Sequence, residues 1–306
     1  MIAKIEEMVQ LSLASVQAVQ LSILEQKNIS MEVLRLDRIH PLISGNKWFK
    51  LKYSLQQALL QSKESIVTFG GAYSNHVLAT ACACKEAGMR SIGIIRGEKP
   101  KDLSCTLMAA MDQGMLIEFV PRSIFANKEQ LYEYAKKEFK ESFLVEEGGR
   151  NEYGILGAEE ILKLGQPGKY QYICCSIGSG TMMAGIIRAS DPKQLVVGFS
   201  SLKTIELQNE LAAFIGNNNH SRKNYEIIDD YHFGGYAKYD KGLLQFMNEL
   251  FTNCSIPTDF VYTGKLFYGI IQLLMKGYFE PGKAILVIHS GGLQGNCSLP
   301  PGTLLY

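Results

Sequence analysis

The sequence predicts an α/β protein whose parallel sheets are covered on both faces by helices. Two observations carry this. From Ser65 onward, short apolar runs alternate with segments of helical length, the signature of strand–helix–strand units. Glycines stand just past the predicted helix ends, Gly88 and Gly114 among them, where a left-handed C-terminal cap favours glycine. A chain of 306 residues allows one large domain or two moderate ones, each able to bury a core.

The elements follow in order. Residues 66–69 read as a short buried strand and 75–87 as an alanine-rich helix. Residues 91–95 form the next strand, 103–113 a helix and 116–120 a strand. A charged helix over 128–140 leads to a strand at 143–146, and the loop 148–151 breaks the pattern. Beyond it come a helix (155–164), an apolar strand (170–177), a helix (181–189), a strand (195–199), a helix (204–215) and a strand (225–228). The polar, Asn-rich run 216–224 reads as a surface connection. Helices at 243–251 and 265–275 precede a last strand at 284–289.

Hydrophobic residues make up 46% and charged residues 20%, with a formal net charge of +1. This is the composition of a globular enzyme and gives no footing for nucleic acid or a membrane surface as partner. No segment reaches the roughly 18–20 apolar residues of a membrane helix, and the N-terminal stretch, with Lys4, Glu6 and Glu7, has no uninterrupted apolar core of a signal peptide. The 7 cysteines suit neither a disulfide scaffold nor a zinc site, so reduced, mostly buried thiols and a cytoplasmic location are expected, with no metal.

Three stretches carry chemistry. The first is Ser44-Gly45-Asn46-Lys47-Trp48-Phe49-Lys50. It sets a lysine just after a turn, at a helix start, where the positive end of the macrodipole disfavours the ammonium. A neutral lysine amine can form a Schiff base. In the second, Gly70-Gly71-Ala72-Tyr73-Ser74-Asn75-His76, a strand ends in a Gly-Gly loop, and Ser74 or Asn75 is placed to cap the following helix. In the third, Cys175-Ser176-Ile177-Gly178-Ser179-Gly180-Thr181, a small-residue loop opens a helix, so its amides and hydroxyls suit an anion such as phosphate. No Gly-Lys-[Ser/Thr] follows, which excludes a Walker A loop.

These stretches, followed in order by Ala184-Gly185, Tyr262-Thr263-Gly264-Lys265 and His289-Ser290-Gly291-Gly292, resemble the 1-aminocyclopropane-1-carboxylate (ACC) deaminase and D-cysteine desulfhydrase family from about Arg35 to Gly292. The resemblance implies a pyridoxal 5'-phosphate (PLP) enzyme of the tryptophan-synthase-β-like fold, fold type II, with two doubly wound open sheets. It implies a larger PLP-binding domain, 1–50 plus 150–306, and a smaller inserted one, 51–149, with the cofactor in the cleft between them and a homodimeric assembly. Lys47 would hold the cofactor covalently, and Lys50, Gly178, Ser179, Gly180 and Thr181 its phosphate. Ser74, Asn75 and His76 would bind the carboxylate of a small amino-acid substrate, with Asn75 also beside the ring. Tyr262 and Tyr236 resemble two active-site tyrosines of the family. Lys47, Ser74 and Tyr262 remain alternatives as the base that removes the substrate Hα.

Two positions separate the branches of this family. Where ACC deaminases place a glutamate facing the pyridine nitrogen, this chain has Thr263, and where they carry leucine in the HxGG motif it has Ser290. Hydroxyls at both positions resemble the desulfhydrase branch. A carboxylate would keep the nitrogen protonated and deepen the electron sink, whereas a hydroxyl can leave it neutral. The expected reaction is therefore β-elimination from D-cysteine, giving pyruvate, sulfide and ammonia. ACC deamination and a non-catalytic PLP-binding role are the alternatives.

Overall fold

The computed structural model describes residues 6–202, 206–215 and 224–306. Among the described residues, ten strands build two sheets. Val16–Ala18 (β1), Ser30–Arg35 (β2), Ser65–Gly70 (β3), Arg90–Arg96 (β4) and Leu116–Val120 (β5) come first. Ser142–Val145 (β6), Tyr172–Ile177 (β7), Leu195–Ser200 (β8), Asn224–Ile228 (β9) and Ala284–His289 (β10) follow. The six-stranded sheet has the order β1-β2-β10-β7-β8-β9 and the four-stranded sheet β5-β4-β3-β6.

The period of two along each strand explains why both faces are covered. In the six-stranded sheet Leu34, Ile173, Cys175, Val196, Leu286 and Ile288 pack on one side with Trp48, Phe49, Met182 and Ile186. Their neighbours Val33, Cys174, Val197, Ile285 and Val287 pack on the other with Leu266, Ile270 and Leu274. Apolar residues at consecutive positions thus serve two cores, as in buried parallel strands. Each fully buried side chain of this size contributes roughly 1.5–3 kcal/mol. In the four-stranded sheet Val67, Phe69, Ile92 and Ile94 meet Leu131 and Ala135 of the helix Lys128–Glu138, while Ile95 packs with Val77, Leu78 and Ala81 of the helix Asn75–Ala87.

The helix Asn46–Leu60 fixes the lysine region by packing on Glu152–Glu159. A Cβ at Gly157 would overlap the carbonyl oxygen of Phe49, so this backbone approach requires glycine.

Several expectations need adjustment. The sheet is not wholly parallel, because β1 pairs with β2 antiparallel. The strands β1 and β2 precede Ser65 and lay outside the predicted alternation. The expected helix over 155–164 starts earlier and divides into Glu152–Glu159 and Ile161–Leu164. A further short helix, Arg122–Ala126, follows Pro121. Of the expected helix over 204–215, Glu206–Ile215 is described; its first residues, and 216–223 of the Asn-rich connection, lie outside the described residues.

The expectation of reduced thiols fails for two cysteines. Cys105 and Cys297 form a disulfide across 192 residues, with Cα atoms 6.5 Å apart. Cys105 opens the helix Cys105–Asp112, which connects β4 and β5, and Cys297 lies in the 3-10 segment Leu293–Ser298 after β10. The bridge therefore joins the two sheet units. Sequence spacing could not reveal it, since pairing depends on Cα separation in space. Cys82, Cys84, Cys174 and Cys175 are buried free thiols and Cys254 a partly buried one. Among the described residues no helix is long and apolar enough to cross a membrane.

Candidate active site

The C-terminal ends of β3, β7 and β10 each release a loop; these loops carry Ser74, Gly178–Gly180 and Ser290, and Lys47, Asn75, Thr181 and Thr263 stand at helix starts. Such carboxyl-end crevices are where open α/β sheets bind ligands.

The first relationship is backbone to backbone. Gly45 has φ +64, and a Cβ there would overlap the Ser290 carbonyl oxygen. Asn46 donates its N–H to that same oxygen at 3.1 Å. The start of the helix Asn46–Leu60 is thus clamped to the turn after β10. Lys47, one residue on, donates from Nζ to Asn46 Oδ1 at 2.6 Å. Its pKa is pulled down to about 8, chiefly by burial, with the Asp259 carboxylate acting in the opposite sense. The helix start places the lysine, but burial is the leading cause of its lowered basicity.

One turn further, Lys50 is buried and donates from Nζ to Ser179 Oγ at 3.1 Å. Burial, and then the charge of Lys47, hold its pKa well below the usual lysine range. Ser179 Oγ pairs with Thr181 Oγ1 at 3.0 Å, and Thr181 begins the nine-residue helix Thr181–Ala189, with Gly180 as its N-cap. Gly178 packs under the ring of Tyr262.

Ser74 caps the helix Asn75–Ala87, its Oγ accepting from Val77 N–H at 3.3 Å. The capping role read from the sequence is therefore realised. Asn75 reaches the other unit, donating from Nδ2 to the Gly292 carbonyl at 3.2 Å. Its Oδ1, and both ring nitrogens of the buried His76, have no hydrogen-bond partner. Burial, with Lys47 and Lys50 nearby, holds His76 neutral, well below the usual histidine range.

On the far side, the rings of Tyr236 and Tyr262 meet edge-on with centroids 6.2 Å apart. Burial pushes the Tyr262 phenol well above its ordinary value, and Tyr236 and Asp259 add to the effect. Thr263 is fully buried, its hydroxyl donating to Asp259 Oδ1 at 2.6 Å. Ser290 Oγ lies 3.1 Å from Ser176 Oγ.

Residues that the sequence reading left without a role complete the site. Asp259 is wholly buried and binds the start of the helix Thr263–Met275. Its side chain accepts from the N–H two residues on, an Asx turn, which is the local signal that could have found it. Lys265 donates to the carbonyls of His232 and Gly235 at 2.9 and 2.8 Å, tying down the loop that carries Tyr236. Ser176 gives no comparable sequence signal, because its partner lies 114 residues away.

A second cluster, His40, Cys82 and Glu86, brings metal-type donors within 4.8 Å of one another. The His40 Nδ1 accepts from the N–H groups of Leu42 and Ile43, so its Nε2 carries the proton and donates to Glu86 Oε1 at 3.2 Å. Both ring nitrogens are committed, which makes the cluster a hydrogen-bonded brace.

The donor set fits a phosphorylated aldehyde. A buried lysine Nζ, two hydroxyls and a helix N-terminus converge where a phosphate would lie. A weakly basic lysine amine stands one helical turn away, and the His76 ring, with both nitrogens unpartnered, lies near Lys47 and Lys50.

Comparison with known proteins agrees. Residues 15–291 match the family model described as "pyridoxal-phosphate dependent enzyme". A Pyrococcus horikoshii protein with a provisional ACC deaminase name is 31% identical over 299 residues, covering 88% of each chain. The mitochondrial bifunctional D-cysteine desulfhydrase/ACC deaminase of Arabidopsis thaliana is 29% identical, over 83% of this chain and 70% of its own. The crystal structure of an ACC deaminase homologue superposes with a TM-score of 0.75 at 26% identity, covering 96% of this chain and 95% of its own. The chain therefore belongs to the family of pyridoxal-phosphate dependent enzymes.

Proposed function

We propose that the protein eliminates a β-substituent from a small amino acid, with D-cysteine as substrate and pyruvate, sulfide and ammonia as products. The observation that carries this reading is the pair of hydroxyl residues, Thr263 and Ser290, at the two positions where the resemblance leads one to expect glutamate and leucine in ACC deaminases. Both hydroxyls are buried at the helix start and the β10 turn. The bifunctional plant relative supports both D-cysteine and ACC as candidates.

When bound, pyridoxal phosphate supplies the electron sink for the pair left on the substrate Cα. The side chains do the rest. Lys50, Ser179, Thr181 and the loop Gly178–Gly180 would hold the phosphate, and Lys47 would hold the aldehyde end of the cofactor. Asn75 lies beside the ring, and Ser74, Asn75 and His76 receive the substrate carboxylate, with His76 as a neutral donor. Lys47 then removes the Hα. With a pKa of about 8, about a tenth of its amines are neutral at pH 7, against roughly one in a few thousand for an ordinary lysine. Tyr262 keeps its proton and delivers it to the departing sulfur, with Tyr236 against its ring edge. The two sheet units close on the substrate and exclude water.

The test is keto-acid formation from D-cysteine and from ACC, assayed side by side with PLP-loaded protein. Pyruvate and sulfide from D-cysteine, without 2-oxobutyrate from ACC, is the expected result. 2-Oxobutyrate alone would favour the deaminase reading, and cofactor binding without turnover of either would favour a non-catalytic role.

A further inference from the structure

Four donors converge on the buried Asp259 carboxylate. The N–H groups of Val261 and Tyr262 reach Oδ2 at 3.0 and 2.8 Å. The Thr263 N–H and the Thr263 hydroxyl reach Oδ1 at 2.9 and 2.6 Å. A hydroxyl-to-carboxylate bond this short is charge-assisted, so the hydroxyl proton is committed to it. The Asp259 N–H in turn donates to Thr263 Oγ1 at 2.8 Å. A threonine hydroxyl has one proton and two lone pairs. With the proton and one lone pair used, Thr263 can offer a third group only an acceptor.

The other hydroxyl at this end of the site has no such fixed polarity. Ser290 Oγ and Ser176 Oγ lie 3.1 Å apart and either can donate. The Asp259 carboxylate also sits by the turn that carries Ser290, since a Cβ on Gly292 would come 3.7 Å from Asp259 Oδ1. Its charge is felt at Lys47, Lys265, Tyr236 and Tyr262.

We propose that Asp259 is a positioning residue that commits the Thr263 hydroxyl to accept, so that the pair holds the ring nitrogen of the bound cofactor in its N–H form. This rests on the PLP reading and on position 263 facing the ring nitrogen. A hydroxyl alone at 263 could leave the nitrogen neutral. A hydroxyl whose proton is given to a carboxylate cannot donate, and its remaining lone pair stabilises N–H instead. The negative charge of a glutamate is thus retained at one remove. It acts through a neutral oxygen, giving a shallower sink than direct contact and one suited to a good leaving group.

The experiment loads the holoenzyme with PLP labelled with 15N in the ring and reads the nitrogen resonance, which lies well upfield when protonated. Wild type and Thr263→Ser are expected to show the protonated position. Thr263→Val, which leaves the three backbone bonds to Asp259 in place, is expected to shift downfield to the neutral position. Asp259→Asn is expected to do the same, because its amide donates and turns the Thr263 proton outward. Cofactor absorbance and Tm are recorded for each variant; if Asp259→Asn fails to fold, Thr263→Val decides. A neutral nitrogen in wild type, or a protonated one in Thr263→Val, overturns the proposal while leaving the cofactor reading intact. No bound chromophore in wild type overturns both.

Discussion

The backbone N–H of Asn46 donates to the carbonyl of Ser290 at 3.1 Å, a bond between residues near opposite ends of the chain. It makes the turn before Lys47 and the turn after β10 one structural unit. Gly45 permits the approach, with φ +64 and no Cβ to meet the Ser290 oxygen. Gly45→Ala should therefore destabilise the fold by roughly 1–3 kcal/mol from the backbone conformation alone, and more from the overlap. Cofactor retention should fall in parallel, because Lys47 directly follows Asn46 in the clamp. Thermal unfolding and visible absorbance of the purified variant check both; an unaltered Tm would refute the clamp.

The lowered basicity of Lys47 predicts the pH dependence of cofactor loading. Only the neutral amine attacks an aldehyde. A lysine amine depressed from 10.5 to about 8 becomes neutral at lower pH, so the rate of PLP capture by stripped protein should rise with pH and level off above about 8. N-acetyl-lysine methylamide, measured alongside, should keep rising towards its ordinary lysine range. Stopped-flow absorbance gives both curves, and coincident midpoints would contradict the assignment. Lys47→Ala should show no adduct and no turnover.

Phosphate recognition rests on Lys50 meeting Ser179 and Thr181. Lys50→Met removes the charge while keeping the stem volume. A charge-assisted hydrogen bond contributes about 1.5–3 kcal/mol, so the Kd for PLP should rise about 10–100-fold. Binding of pyridoxal, which lacks the phosphate, should change little. Equal losses for both ligands would place Lys50 elsewhere in the recognition.

The Cys105–Cys297 bridge predicts that denatured, unreduced protein exposes 5 thiols of the 7 cysteines. Mass spectrometry after alkylation counts them. Cys105→Ser should lower stability by about 2–5 kcal/mol, read from the shift in denaturation midpoint. Seven alkylated cysteines without reductant would show that the bridge does not form.

The sequence by itself determined the strand–helix alternation from Ser65 onward, because buried parallel strands and capped helices leave local patterns of apolar period and glycine placement. It also presented Lys47, Lys50, the Ser74-Asn75-His76 run and the loop Gly178–Thr181, since each sits at the end of a strand or the start of a helix and carries a recognisable local chemistry. Only the tertiary structure decided how these meet. The antiparallel β1, the clamp between Gly45 and Ser290, the bonds of Lys265 to the Tyr236 loop and the bridge from Cys105 to Cys297 all join residues distant in sequence. The depressed pKa of Lys47 likewise comes chiefly from burial, a property of the packed cleft that no local pattern encodes. Asp259 lies between these cases. Its Asx turn is a local feature of the chain, but its capture of the Thr263 proton is a matter of tenths of an ångström, set by the packing around it.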